Sequence, residues 1–288
     1  MKIKLVTDAS SLLPLKMMEE ENIGVFESIL LIDGKEYREL TELNREEFIL
    51  SLHDADPYPT SSQVSAQDVL DVYNKAIEDG FDEIFYLSLT PKISSHMNVA
   101  RLTAKRVKDK IKVTIYQTDY SCASQGAMVY HTLKLLKKGK NTDEITSYLD
   151  ELKNKIHTVG VTIDLESLFK SGKVKRGSAK GILVSLLKMK PIVEINLEDA
   201  VIGIGAGISL KSAIKKLINE VETKTDSDTQ YDLYMADSLN PELMKKLEQE
   251  IKKVRKIKET HYWEISPVVA LSSGNGGVMA TLCPILEE

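Results

Sequence analysis

Hydroxyl side chains gather at four points of this chain, each just ahead of a helical stretch. Thr7-Asp8-Ala9-Ser10-Ser11, Thr90 to Ser95 and Thr118-Asp119-Tyr120-Ser121 each follow a β-branched or aromatic run and precede a helical stretch. A fourth cluster, Thr60-Ser61-Ser62-Gln63, stands just ahead of a helix with no clear strand before it. In an open parallel sheet the carboxyl ends of the strands share one edge, so such turns converge where free N–H groups and helix dipoles favour an anion. Capping competes with this reading, because Ser, Thr, Asp and Asn are the preferred N-caps with no ligand present. One cap per helix suffices, however, and the clusters at Ser61-Ser62 and Ser94-Ser95 exceed that need. These four serines are therefore the leading candidates for an anion pocket.

Other chemistry finds less support. A less favoured hydrolase, with Ser94 as nucleophile and His96 or another histidine as base, would need an acid partner, and neither that partner nor a G-x-S-x-G elbow can be assigned. The five histidines are dispersed, none at a zinc-site spacing, so no metal is expected. Cys122 and Cys283 lack CxxC spacing and read as buried structural thiols. Gly203-Ile204-Gly205-Ala206-Gly207 does not match GxGxxG, and no nucleotide is expected there. Ser273-Gly274-Asn275-Gly276-Gly277 fits either a plain turn or a backbone that approaches a ligand. The basic loop of Lys173, Lys175 and Arg176 fits a solvated surface or one that faces an acidic partner or phosphate.

The elements that must position these residues alternate in βαβ order. Ile3–Thr7, Glu83–Leu89 and Lys112–Thr118 read as strands, each followed by an amphipathic segment. Ser65 and Asp68 form a capping-box pattern before Ala66–Tyr73, and the segment from Met97 to Lys110 places Val99, Leu102 and Val107 inward. A helix from about Ser121 ends in Lys137-Lys138-Gly139, with cations and a glycine at its carbonyl end. Another runs from about Asn141 to Lys155. Beyond it come a strand at His157–Ile163, helical Leu165–Lys170, a polar loop at Ser171–Gly177, a helix at Lys180–Leu187 and a strand at Ile192–Ile195. A helix around Ile214–Val221, a strand at Asp232–Ala236, a helix after Asn240-Pro241 and a strand at Val268–Leu271 complete the chain. The expected fold is α/β in two lobes, the first (residues 1–156) on a parallel Rossmann-like sheet, the second (157–288) on a mixed sheet.

Composition agrees with that class. The 288 residues are 42% hydrophobic and 28% charged, ordinary for a soluble globular chain. The formal net charge of −5 leaves no basic surplus for a phosphate backbone, so nucleic acid is a poor partner. No apolar stretch approaches the ~20 residues that span a bilayer. The N-terminus reaches Asp8 before an apolar run develops, which does not fit a secretory signal, and a cytoplasmic location is expected.

Six segments in this order and spacing resemble the DegV family of bacterial fatty-acid-binding proteins from end to end. They are Thr7-Asp8-Ala9-Ser10 with Pro14; Pro59-Thr60-Ser61-Ser62-Gln63-Val64-Ser65; Lys92-Ile93-Ser94; Thr118-Asp119-Tyr120-Ser121 with Ser124 and Gly126; Asp164-Leu165-Glu166 with Gly172-Lys173-Val174; and Lys190-Pro191-Ile192. The resemblance implies two α/β lobes with a lipid between them, its chain buried and its carboxylate held by hydroxyls. The family's carboxylate-binding threonine matches Ser61, and the serine of its L-S-G-T turn matches Ser94; Ser62 and Ser95 stand beside them. Ser121, Lys173, Arg176, Ser272, Gly274 and Gly276 are further positions for the headgroup or a partner.

In some relatives a fatty acid kinase phosphorylates the bound lipid, and this chain departs from that pattern. Ser272 stands where the family has a histidine, Ile208-Ser209-Leu210 where it has arginine-threonine-arginine, Ser95-His96 where it has Gly-Thr, and Lys173 where it has arginine. Those groups would supply charge-assisted bonds to a phosphate or a kinase surface. The expectation is a cytoplasmic, non-enzymatic carrier of a long-chain fatty acid without cofactor or metal, with kinase coupling less secure. The alternative is a carrier of another amphiphilic carboxylate.

Overall fold

The computed structural model describes residues 2–171 and 189–286. Its first sheet is parallel, in the order β2 (Gly24–Phe26), β1 (Ile3–Asp8), β6 (Glu83–Ser88), β7 (Lys112–Gln117). Every residue of β6 is buried, as befits a strand covered on both faces. Packed beside this sheet are α3 (Ala66–Glu78) and α4 (His96–Ala104), while β3 (Ile29–Ile32), β4 (Lys35–Arg38) and β5 (Thr60–Ser62) form a small antiparallel sheet. The Ser61 cluster is thus a short strand in its own right, paired with β3; in the chain α1 (Leu15–Glu20) precedes β2 and α2 (Arg45–Ser51) follows β4.

The second sheet is mixed, in the order β10 (Ala200–Gly207), β9 (Lys190–Asn196), β8 (His157–Val161), β13 (Val278–Pro284), β11 (Gln230–Asp237), β12 (Lys256–Glu264). Only β11 and β12 pair in parallel. On it pack α8 (Leu210–Lys224) and α9 (Pro241–Val254), whose inward faces share one core with β8, β11 and β13. All strands of the first sheet lie within residues 3–117 and all of the second within 157–284.

Helix α5 (Cys122–Lys137) joins the two lobes. It is buried along most of its length and touches β1, β6, β8, β11 and β13. A helix apolar on nearly all sides belongs between layers, and the thiol of Cys283 and the ring of Trp263 meet it in the shared core. Polar links also cross: Arg45 donates to the carbonyls of Ile265 (2.8 Å) and Asp237 (2.6 Å), and Tyr58 Oη to that of Leu271 (2.8 Å). After α5 comes α6 (Thr142–Leu152), opened by a full capping box between Asn141 and Glu144.

Several sequence expectations change. Val268–Leu271 is not a strand but the middle of helix α10 (Pro267–Ser273), which Pro267 starts at its first turn. A four-residue apolar run carries no period that separates the two, and Pro at N1 decides for helix. Leu102 does not face inward; it is 63% exposed, and α4 stops at Ala104, so Val107 reaches the core from the following turns. Ser65 caps α3 through the Asp68 amide at 3.0 Å, but the Asp68 carboxylate turns to the Ser65 hydroxyl and Arg38 rather than to a backbone N–H. The glycine run at Gly203–Gly207 does lie in a strand followed by a helix. Gly207 serves packing there, since a Cβ on it would collide with the backbone of Ala213 in α8. The expected loop at Ser171–Gly177 and helix at Lys180–Leu187 lie outside the described residues, except for Ser171 at the end of α7 (Leu165–Lys170). Among the described residues, no helix is long and apolar enough to cross a membrane.

Candidate functional site

A cavity of about 550 Å³ opens between the turns of the first lobe and the strands of the second. Much of its polar lining comes from the first lobe: Ser10, Ser28, Ser61, Ser62, Ser94, Ser95 and Ser121. Much of its apolar lining comes from the second: Val159, Val161, Val193, Ile195, Val201 and Met279 from strands, with Val268 and Val269 from α10. Such a volume, apolar with a few polar groups, is ordinary for a small-molecule site.

The chain folds this way because one buried carboxylate gathers the turns. Asp8, at the end of β1, accepts from Tyr86 Oη (2.7 Å), the Leu89 amide (2.8 Å) and Gln125 Nε2 (2.9 Å), and pairs with His96 Nδ1 (2.7 Å). The other ring nitrogen of His96 accepts from the Val64 amide at 3.0 Å. Backbone N–H groups only donate, so Nε2 is the acceptor and Nδ1 carries the proton shared with Asp8. The turn that bears Ser94 and the strand that bears Ser61 are thereby tied to one point. Both nitrogens of His96 are engaged, which removes it as a base for Ser94 and weakens further the disfavoured hydrolase reading.

Capping accounts for some hydroxyls and not for others. Ser65 and Ser209 cap their helices, whereas Ser95 and Ser121 occupy N-cap positions without a side-chain cap bond. Ser121 is buried, lines the cavity, and its Oγ has no hydrogen-bond partner among the described residues. The backbone around it is held in an uncommon form, with φ of 63° at Asp119 and 56° at Cys122. Such conformations cluster at binding sites, where the fold over-determines them. Cys122 itself lines the cavity, a position that its reading as a structural thiol did not suggest.

The structure brings Ser61, Ser62, Ser94, Ser95, Ser121 and Ser272 to one cavity, the last from α10 with its hydroxyl donating to the Val269 carbonyl at 3.1 Å. Gly277 lines it, while Gly274 and Gly276 stand behind in the turn after α10. There their carbonyls accept from Ser238 Oγ (2.6 Å) and Asn240 Nδ2 (3.1 Å). Lys173 and Arg176 lie outside the described residues. Sequence reasoning missed Ser10, Ser28, Lys92 and Asp199 as lining groups, although Ser10 and Lys92 sat within the quoted motifs. Lys92 Nζ donates to the Leu197 carbonyl (2.7 Å) and to that of Glu198, which pins its turn to the β9–β10 hairpin.

Behind the wall, Glu39 accepts from the amides of Ser28 and Val268, both at 3.1 Å and both in cavity-lining residues of different lobes. Burial raises its carboxyl above the ordinary range, and those two bonds offset part of the rise.

The family model described as "Uncharacterised protein, DegV family" matches residues 2–282. A DegV domain-containing protein of Listeria innocua is 28% identical over 277 residues, 96% of each chain. A fatty-acid-binding DegV family protein from Thermus thermophilus superposes with a TM-score of 0.88 at 25% identity, over 99% of this chain and 100% of the other. A fatty-acid-binding DegV family protein from Streptococcus agalactiae does so with 0.85, also at 25% identity and over the same shares. With this fold, these turns and a match over nearly its whole length, the chain belongs to the DegV family.

Proposed function

We propose that this protein is a cytoplasmic carrier that encloses one long-chain fatty acid in the cavity between its lobes, with the carboxylate held at Ser61 and Ser94. Ser62, Ser95 and Ser121 supply further hydroxyls. The observation that carries the reading is the division of the lining, hydroxyl-rich from the first lobe and apolar from the second, around a single cavity. It gains support from the fatty-acid binding of the Thermus and Streptococcus relatives.

Burial of a chain of ~16 carbons at roughly 0.8 kcal/mol per methylene sets an upper figure near ~12 kcal/mol. Association and ordering remove much of that. Each hydrogen bond to the carboxylate adds about 1.5–3 kcal/mol, largely offset by desolvation of the anion. Affinity therefore resides in the tail, and the serines set direction. Presentation to a kinase is not part of the proposal. Ser209, where the family's basic motif would stand, is spent on capping α8, and Ser272 offers no charge.

Mass spectrometry of the purified protein, native and then denatured, tests this reading. One copurified long-chain acid per chain supports it. A different amphiphilic carboxylate would move the reading to that ligand, and a protein that is empty and takes up no added fatty acid would overturn it.

A further inference from the structure

We propose that Asp232, Glu259 and His261 form a binding site for a divalent first-row transition ion, separate from the lipid cavity and independent of its ligand. Asp232 lies on β11, and Glu259 and His261 lie two residues apart on β12, its parallel neighbour at the edge of the second sheet. The β11–β12 register shifts here, with residues 258 and 259 opposite Asp232, and Glu259 Oε2 comes within 3.7 Å of His261 Nε2. One candidate ligand atom from each of the three lies within 4.8 Å of the others.

One atom on each of two of these side chains lacks a hydrogen-bond partner among the described residues. Asp232 is 3% exposed, yet its Oδ1 has no hydrogen-bond partner among the described residues; the same holds for the buried Nε2 of His261, 3.7 Å from Glu259 Oε2. Buried acceptors rarely stay unsatisfied, and an ion bound between them would satisfy both. Tyr234 stacks on the His261 ring at 4.7 Å and Tyr130 meets it edge-on at 5.0 Å, so the imidazole plane is fixed. Lys134 on α5 stands 3.9 Å from Asp232 Oδ2, too far to hydrogen-bond, with its ammonium over the Tyr130 ring.

One imidazole with two carboxylates is a mixed N/O set. It suits Zn²⁺ and its neighbours rather than Ca²⁺ or Mg²⁺, which take oxygen ligands. Glu259, whose side chain is 56% exposed, can swing to close the remaining gap, and three protein ligands leave a position for water.

The test uses the full chain without an affinity tag, stripped with EDTA and titrated with ZnCl2 by calorimetry. One saturable ion per chain is expected, with affinity lowered at least about tenfold in Glu259→Gln and in His261→Gln. Glu259 is largely exposed, so its variant keeps the fold and isolates the ligand effect; a matching urea midpoint confirms that. Lys134→Gln removes the competing ammonium and is expected to tighten binding. No saturable binding overturns the proposal. Zn²⁺ affinity that is unchanged in both ligand variants also overturns it, and assigns the ion to an exposed group such as His53.

Discussion

His96 Nδ1 stands 2.7 Å from Asp8 Oδ1 with both side chains out of solvent, and through this pair the turn of Ser94 is locked to the end of β1. The Val64 amide completes the lock on the other side of the ring. His96→Ala would leave a buried carboxylate short of a donor and a buried amide without an acceptor. Each buried group left unsatisfied costs about 1–3 kcal/mol, and more where it is charged. Urea unfolding of the variant is expected to show a loss of that order, and a change below about 1 kcal/mol would refute the clamp.

Head and tail of the lipid should respond differently. Ser94→Ala is expected to weaken fatty-acid binding only a few-fold, since one hydroxyl contributes little after desolvation. Val193→Trp, on β9 in the cavity wall, fills the space of the chain and should abolish binding. Displacement of a fluorescent fatty acid measures both. Complete loss in Ser94→Ala would mean that the headgroup dominates.

Ser121 offers a test with two signs. Its hydroxyl is buried and unpartnered among the described residues, so Ser121→Ala should leave the delipidated protein as stable as before or slightly more so. The same change should reduce the rise in melting temperature that fatty acid confers. Equal effects with and without lipid would show that the hydroxyl makes no ligand contact.

Acid should destabilise the fold through its buried histidines. Burial holds His131 down to about 3 and His157 down to about 4, against 6.5 for the free side chain. Below pH 6.5 the unfolded chain takes up protons that the folded one refuses. Stability is thus complete above that value and falls as pH drops toward 3, by up to about 1.4 kcal/mol per pH unit for each histidine. His131→Gln should flatten the slope by one histidine's share in urea unfolding between pH 4 and 7. An unchanged slope would exclude His131 as a source.

Gly126 has no room for a methyl group. A Cβ there would strike the Ser11 carbonyl and the Trp263 ring, which come from different lobes. Gly126→Ala is expected to destabilise by about 1–3 kcal/mol despite its better helix propensity, because overpacking at this contact outweighs it. Thermal unfolding of the variant measures this, and a rise in stability would show that the lobes yield there.

The elements that sequence reasoning located well carry strong local signals. Ile84–Leu87 is a run of large apolar and aromatic residues without Gly or Pro, and α5 ends where Lys137-Lys138-Gly139 stops it. The small sheet of β3, β4 and β5 went unread because β5 is three hydroxyl residues whose only strand character is their pairing with β3. β12, with its Lys-Ile-Lys-Glu-Thr-His pattern, was also missed, since an edge strand need not be apolar.

The hydroxyl turns were legible from residue type, because few residues both cap helices and bind anions and one cap per helix left a surplus. The apolar wall was not. Val159, Ile195 and Met279 are the same types that fill the core, and whether a valine faces a cavity or another valine depends on what packs opposite. By itself the sequence determined the α/β class, the parallel first sheet, the serines at its strand ends and the family. Tertiary structure alone decided which apolar side chains close the cavity over those serines, that His96 serves Asp8 rather than Ser94, and that Asp232 meets Glu259 and His261. Those relations join residues tens to hundreds of positions apart, and only the pairing of strands and the burial of helix faces brings them within bonding range.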